Sequence, residues 1–403
     1  MTALSPAERN LTQHIDQQRM LSRTQDWVAI NSGTENLDGL ARMADALADA
    51  FSALPGDVTL HDPAPVTVVN AEGYEVEKPH GRHLVLSVRP DAERRLLLTG
   101  HMDTVFPVDH PFQSQKWLDD DVLNGPGTAD MKGGIAIIAE ALMALEKSKD
   151  SSRIGYDVMI NSDEETGSLA SAALIDELAR GKYAALTYEP SALPDGTLAH
   201  ARGGSGNYTL TFTGKSAHAG RNPQDGRNAI VAAADAAVRL KELQHADLPI
   251  NPAKIDGGAA NNVVPDHAVL RFNIRPKTTD AAEQFERELT RLIADLGTDH
   301  DLSVALHGGI SRPPKPVDER AQKLFDLVRD SGAALGHTIG WQSTGGVCDG
   351  NNIAANHVPV VDTMGVRGGK IHSPDEFMIA PSLTERAQLS AIVMHRLATG
   401  ENL

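Results

Sequence analysis

Three acids stand side by side in the stretch NSDEETGS: Asp163, Glu164 and Glu165 follow directly on the apolar run IGYDVMI. Like charges at this spacing repel, and packing does not require them there. Two chemistries use such a group. A carboxylate can ligate a divalent cation, and a carboxylate can move a proton. Further candidates stand in four other segments: His101 and Asp103 in GHMDTVF, Asp130 in GTADMKGG, Glu189 in TYEP, and His372 in GGKIHSPDE. Two imidazoles with three or more carboxylates suit a hard-to-borderline divalent metal such as Zn²⁺. With one carboxylate bridging, the set suits two ions about 3.5 Å apart, as in two-metal hydrolases.

Taken singly, each signal is weak. A histidine after a strand is usually a polar loop residue, an aspartate in a glycine-rich segment is usually a turn residue or helix cap, and an acidic triplet is usually a solvated turn. Their conjunction carries the weight, because each candidate falls at a strand end or in an adjoining loop.

The elements that must position them are legible. RHLVLSV, RRLLLTG, IGYDVMI and YAALTYE read as strands, while GGIAIIAEALMALEKS has helical periodicity. SLASAALIDELARG reads as a second helix with Ser168 as its N-cap and Gly181 just past its end. Such alternation predicts an α/β fold, a mostly parallel sheet flanked by helices. Ligands bind such sheets beyond the carboxyl ends of the strands.

After Pro194 the pattern changes, and SGNYTLTFTG alternates apolar and polar residues as a half-exposed antiparallel strand does. A β-α-β-β-α-β-like set over residues 203–311 predicts a smaller α+β domain inserted into a larger one built from residues 1–202 and 312–403. A chain of 403 residues agrees with two cores rather than one.

A formal net charge of −17 argues against nucleic-acid binding, which needs a basic face, and against docking to anionic membranes. No run approaches the roughly 20 apolar residues of a membrane span. The single cysteine, Cys348, rules out an intrachain disulfide and a thiolate metal cage. Its neighbours offer no base, so it reads as a buried structural thiol. The polar N-terminal stretch lacks the pattern of a signal peptide, which gives the expectation of a cytoplasmic protein.

GHMDTVF, GTADMKGG and DEETGS resemble the Gly-His-x-Asp-x-Val, Asp-x-Lys-Gly-Gly and Asp-Glu-Glu-x-Gly-Ser segments of the di-zinc aminoacylase and glutamate-carboxypeptidase family of co-catalytic metallopeptidases. The resemblance spans nearly the whole chain, including an inserted lid or dimerisation domain. It implies that Asp130 bridges two metal ions, with His101 and Glu189 completing one site and Glu165 and His372 the other. Glu164 would be the general base and Asp103 the partner that orients His101. A cis peptide would follow Asp130. The implied cofactors are two divalent ions, Zn²⁺ first, with Co²⁺ and Mn²⁺ as alternatives.

The resemblance extends to the inserted domain. His218 in GKSAHAG matches a lid histidine that reaches across a homodimer to help hold the oxyanion. Asn262 and Arg275, in NNVVPDHAVLRFNIR, match residues that bind a substrate carboxylate, and Arg312 in SRPP is a third candidate. An arginine suits this task because its planar fork meets a carboxylate in two parallel hydrogen bonds. TGGVCDGNN resembles the family's glycine-rich loop, with Cys348 where many carboxypeptidase members carry Thr or Ser. Members with Glu at the position of Glu189 tend to be carboxypeptidases or deacylases, and those with Asp aminopeptidases.

The expectation is therefore a metal-dependent hydrolase that cleaves a small amide or peptide next to a free carboxylate. An aminopeptidase, dipeptidase or amidine-type hydrolase is the alternative within the family. A non-catalytic metal- or ligand-binding relative would lack the base or a ligand, and here none is missing. A nucleotide-binding α/β protein would need a glycine loop after its first strand, and GTADMKGG is too acidic and stands after the wrong segment.

Overall fold

Six strands make the main sheet of the computed structural model, which describes residues 3–400 and 403. In chain order the first five are β1 (Asp57–His61), β2 (His83–Val88), β3 (Arg95–His101), β4 (Gly155–Asn161) and β5 (Ala184–Thr187). Their order across the sheet is β1-β2-β4-β3-β5, followed by the short strand Val360–Val361. β4, β3, β5 and the last strand run parallel, whereas β2 runs against its neighbours. Leu96, Leu97 and Leu98 of β3 are all fully buried, the pattern of a central strand covered on both faces.

The helix Gly133–Glu146 is apolar on nearly every face and buried almost throughout. It starts hard against the sheet. A Cβ at Gly134 would stand 2.2 Å from the carbonyl oxygen of Tyr188, so only glycine permits this approach. That contact explains the last glycine of GTADMKGG and brings the Asp130 loop over the ends of β3 and β5.

A second sheet is wholly antiparallel. Its strands are β6 (Ser205–Thr213), β7 (Ile250–Gly257), β8 (His267–Ile274) and β9 (Ser303–Arg312), in the order β7-β8-β6-β9. The helices Ala229–Glu242 and Thr279–His300 pack on it, which gives the chain order β-α-β-β-α-β. Tyr208, Leu210 and Phe212 alternate inward from β6 into a core of their own, where Tyr208 stacks on Phe272 at 5.1 Å between ring centroids. None of these buried residues belongs to the core under the main sheet. The chain passes between the two sheets at two adjoining places. Ser205 pairs with Arg312 in the ladder, and Arg202 bridges Lys315 just beyond it.

One element departs from the sequence reading. Ser168 does not cap a helix, and the helix starts later, at Ala172. Gly167 and Ser168 both take positive φ values, 99° and 55°, which break a helical path. The Ser168 hydroxyl is buried and donates to Asp349 Oδ1 at 2.6 Å.

Candidate active site

The carboxyl ends of β3, β4 and β5 deliver the candidate residues. His101 is the last residue of β3, the acidic triplet follows β4, and Glu189 follows β5. Asp130 enters from the loop before helix Gly133–Glu146, and the Asp130–Met131 peptide is cis, as the resemblance implies. His372 hangs in the connection between the paired strands Gly368–Gly369 and Phe377–Ile379. The latter strand also pairs with Val122–Asn124, just ahead of the Asp130 loop.

Asp130 stands at the centre. Its Oδ1 is 3.0 Å from His101 Nε2, and its Oδ2 is 3.2 Å from His372 Nε2. Glu165 Oε2 lies 3.1 Å from the same His372 nitrogen, and Glu189 Oε2 lies 3.8 Å from His101 Nε2. Asp130 thus joins a His101–Glu189 side to a His372–Glu165 side. His101 Nδ1 faces the backbone oxygen of Asp103 at 3.0 Å and its Oδ1 at 3.4 Å. Asp103 also accepts from the backbone nitrogens of Glu164 and Glu165, each at 3.2 Å, and from the Thr34 hydroxyl at 2.8 Å. One fully buried carboxylate therefore fixes both the imidazole and the turn of the acidic triplet.

The triplet divides its work. Asp163 turns inward, accepting from the Ala170 nitrogen at 2.7 Å and the Ser171 hydroxyl at 2.6 Å, and so folds the turn. Glu165 faces His372 and Asp130. Glu164 pairs with Arg312, its Oε1 2.9 Å from the guanidinium.

Electrostatics tests whether divalent ions fit here. Burial raises the carboxyls of Glu164, Glu165 and Glu189 above the ordinary range, Glu165 to about 7, and Arg312 opposes the rise at Glu164. Burial would raise Asp130 too, but its bonds to His101 and His372 outweigh it and hold the carboxyl low. Burial likewise disfavours a charged His101, and its bonds to Asp103, Asp130 and Glu189 more than offset this. His372 is held up to about 11, first by Asp130 and then by Glu165. The half-exposed His372 imidazole faces both the Asp130 and the Glu165 carboxylates. The two imidazoles thus stand among crowded acids, whose mutual repulsion divalent ions would offset.

The donor atoms are near enough to one another for that. Those of His101, Asp130 and Glu165 lie within 4.8 Å of one another, as do those of His101, Glu164 and Glu189. The second trio contains Glu164, and Arg312 already engages that carboxylate, which sets it apart from the other donors. The residues present fit a two-ion centre.

A cavity of about 270 Å³ opens beside this cluster, lined by Asp130, Glu164, Glu165, Glu189, Arg202 and Cys348 among others. Cys348 is buried, and burial pushes its thiol well up, so it stays neutral. His218, Asn262 and Arg275 do not line this cavity and are exposed. His218 lies on a small strand pair facing Val263, and Asn262 stands in the turn just before that residue. The Arg275 side chain donates to Asn273 at 2.9 Å.

Several supporting residues escape a sequence reading. Glu376 accepts from the backbone nitrogens of Gly127, Ala129 and Asp130 at 2.9–3.1 Å and so shapes the Asp130 loop. Its place in KIHSPDE, four residues after His372, was the one available signal. Arg202 lines the cavity and is locked by Asp362, with Nε to Oδ2 at 2.8 Å, and nothing in its neighbourhood along the chain marks it.

Among known proteins, the profile of peptidase family M20/M25/M40 matches residues 97–396. Carboxypeptidase G2 of Pseudomonas sp. (strain RS-16) is 28% identical over 395 residues, covering 96% of this chain and 91% of that protein. The succinyl-diaminopimelate desuccinylase of Hahella chejuensis is 28% identical over 349 residues, covering 81% of this chain and 88% of that protein. A solved tripeptidase from Staphylococcus aureus superposes with a TM-score of 0.72 at 25% identity, covering 96% of this chain and 99% of that one. An M20 family metallo-carboxypeptidase from Sulfolobus solfataricus shares the fold at a TM-score of 0.69 and 14% identity, covering 94% and 99% of the two chains.

Proposed function

The chain belongs to peptidase family M20/M25/M40 and is a metal-dependent hydrolase of amide or peptide bonds, and from that premise we propose that it releases an amino acid bearing a free carboxylate from a small N-acyl or peptidyl substrate. The observation that carries the reading is the division within one turn: Glu165 faces the His372–Asp130 side while Glu164 is tied to Arg312 beside the cavity. Carboxypeptidase and desuccinylase relatives, and Glu rather than Asp at position 189, support the substrate class.

Asp130 would be shared by two ions, with His101 and Glu189 on one and Glu165 and His372 on the other; Zn²⁺ is the proposed metal. When bound, such ions polarise a carbonyl and lower the pKa of water from 15.7 toward about 7. Glu164 then takes the proton from the attacking water and returns it to the leaving amine. Asp103 holds His101 and the Glu164–Glu165 turn in register through both steps. Asn262 and Arg275 bind the substrate carboxylate, and His218 donates to the developing oxyanion.

A homodimer belongs to the proposal, because these three residues are exposed and away from their own chain's cavity. β7 is an open edge of the second sheet, and Val231 and Val238 on helix Ala229–Glu242 are 52% and 60% exposed. An edge strand beside an apolar helix face is a surface that a second copy would cover. Among the described residues no helix is long and apolar enough to cross a membrane. The single unpaired cysteine fits the cytoplasmic setting proposed with it.

The test is a panel of N-acyl amino acids and dipeptides given to the zinc-loaded protein, each also as its C-terminal amide. The reading requires turnover of the acids and poor turnover of the amides. Preference for substrates with a free N-terminus, indifferent to the carboxylate, would favour an aminopeptidase instead.

A further inference from the structure

Arg312 ends β9, where the chain returns from the second sheet to the main body. It is among the largest side chains in the molecule to be fully buried. Nη2 donates to Glu164 Oε1 at 2.9 Å, to the Glu164 carbonyl oxygen at 3.3 Å and to the Ser168 hydroxyl at 2.8 Å. Nη1 donates to Asp349 Oδ1 at 2.7 Å and to Asn352 Oδ1 at 2.8 Å. Asp349 is itself anchored, its Oδ2 accepting from Asn161 Nδ2 at 2.7 Å. Both terminal nitrogens of the guanidinium are thus engaged by the turn that carries Glu164 and by that turn's support. Arg312 does not line the cavity.

We propose that Arg312 is a positioning residue that holds Glu164 as a base and keeps it from becoming a metal ligand. The inference rests on the reading of Glu164 as the base. The geometry calls for such a device: Glu164 offers an oxygen within 4.8 Å of the donor atoms of His101 and Glu189. A carboxylate able to reach the same ion as His101 and Glu189 would be drawn into its coordination, and could not then collect a proton. Arg312 occupies Oε1 and the backbone oxygen of the same residue, so Glu164 is restrained at both ends of its side chain. The fork is essential to this. One nitrogen serves Glu164 while the other is held by Asp349, whereas a lysine ammonium offers a single centre on a flexible stem. Because Arg312 roots the second sheet, the base is also oriented from the point where the two bodies join.

The experiment compares R312K and R312A with wild type as metal-loaded enzymes, measuring kcat, KM, metal content and the ratio of rates on acid and amide substrates. Displacement of the base by about 1 Å can cost on the order of 10²-fold. The expected result is a kcat loss of about that size with KM, metal content and the acid-to-amide ratio little changed. Added guanidinium should restore part of the R312A activity. R312K in an E164Q background should cause no further loss, since both changes disable one unit. If R312A does not fold, R312K and the double variant still decide the matter. A rise in KM with collapse of the acid-to-amide ratio would make Arg312 a substrate ligand and overturn the proposal. So would a full additional loss on top of E164Q, or an unchanged kcat in R312K while E164Q is inactive. Normal turnover by E164Q would instead remove the base reading itself.

Discussion

The candidate residues of the main body and those of the second sheet are held in opposite ways. His101, Asp103, Asp130 and Glu189 are buried, and each has at least one polar neighbour within the cluster or its support. His218, Asn262 and Arg275 are exposed and face no part of the cavity. One chain therefore gathers the candidate metal and proton-transfer residues in its interior but presents the candidate carboxylate-binding residues outward. A rigid site is needed where charges must be placed to a fraction of an ångström. A residue that meets its ligand through a second body has to remain on the surface. The contrast gives each half a different mode of failure.

The largest effect should come from emptying the main-body site. Prolonged chelation should abolish amide hydrolysis, and Zn²⁺, Co²⁺ or Mn²⁺ should restore it, with metal content followed by elemental analysis. Full activity in protein shown to be metal-free would end the distinction drawn here. Next in size, Glu164→Gln should retain metal and lose about 10²–10⁴-fold in kcat. Glu165→Gln, its neighbour, should instead lose metal. Identical behaviour of the two variants would mean that the turn does not divide its work.

The turn was legible in the sequence as a candidate because three acids are adjacent and follow a strand, whereas separate roles for Glu164 and Glu165 are what the family resemblance implies. The order of strands and helices, the delivery of His101, Glu164, Glu165 and Glu189 at strand ends, and the α/β class were legible for the same reason: periodicity and strand endings are local. What holds these residues was not. Arg312 and Glu164 are 148 positions apart, and Ser168 and Asp349 are 181 apart. No local pattern marks partners at such separations, so Ser168 reads as a helix cap until the chain is folded, and the pairing of Arg312 with Glu164 goes unseen. Glu376 illustrates the intermediate case, since its motif was in view but its targets, the nitrogens of Gly127, Ala129 and Asp130, were not.

A smaller effect separates the second sheet from the first. Amidating the substrate's α-carboxylate should lower kcat/KM by about 10–100-fold, the cost of leaving a charged donor without its partner. Arg275→Ala should cause a similar loss on the acid substrate and little on the amide, with metal content unchanged. Losses that simply add would place Arg275 outside carboxylate recognition. The same measurements on Glu165→Gln should show no such selectivity, because that residue lies with His372 and Asp130 in the proposed metal site rather than at the substrate's end.

The last prediction asks whether the outward-facing residues complete a partner's site. If His218 acts across a two-fold dimer, each site takes Glu164 from one chain and His218 from the other. His218→Ala and Glu164→Ala proteins should then be nearly inactive when separate. Mixed in equal amounts and allowed to exchange, half the dimers carry one chain of each kind. In such a dimer both lesions fall in one site, and the other site is wholly wild type. Random pairing predicts recovery of about a quarter of wild-type activity. The measurement is turnover before and after exchange, with the mixed dimers counted by two different affinity tags. Recovery near that level would bind the two halves into one mechanism: a buried apparatus from one chain, finished by an exposed histidine from the next. Proven exchange without recovery would return His218 to its own chain, and the second sheet would then have to rotate about the crossings at residues 202–205 and 312–315 to bring it to the cavity.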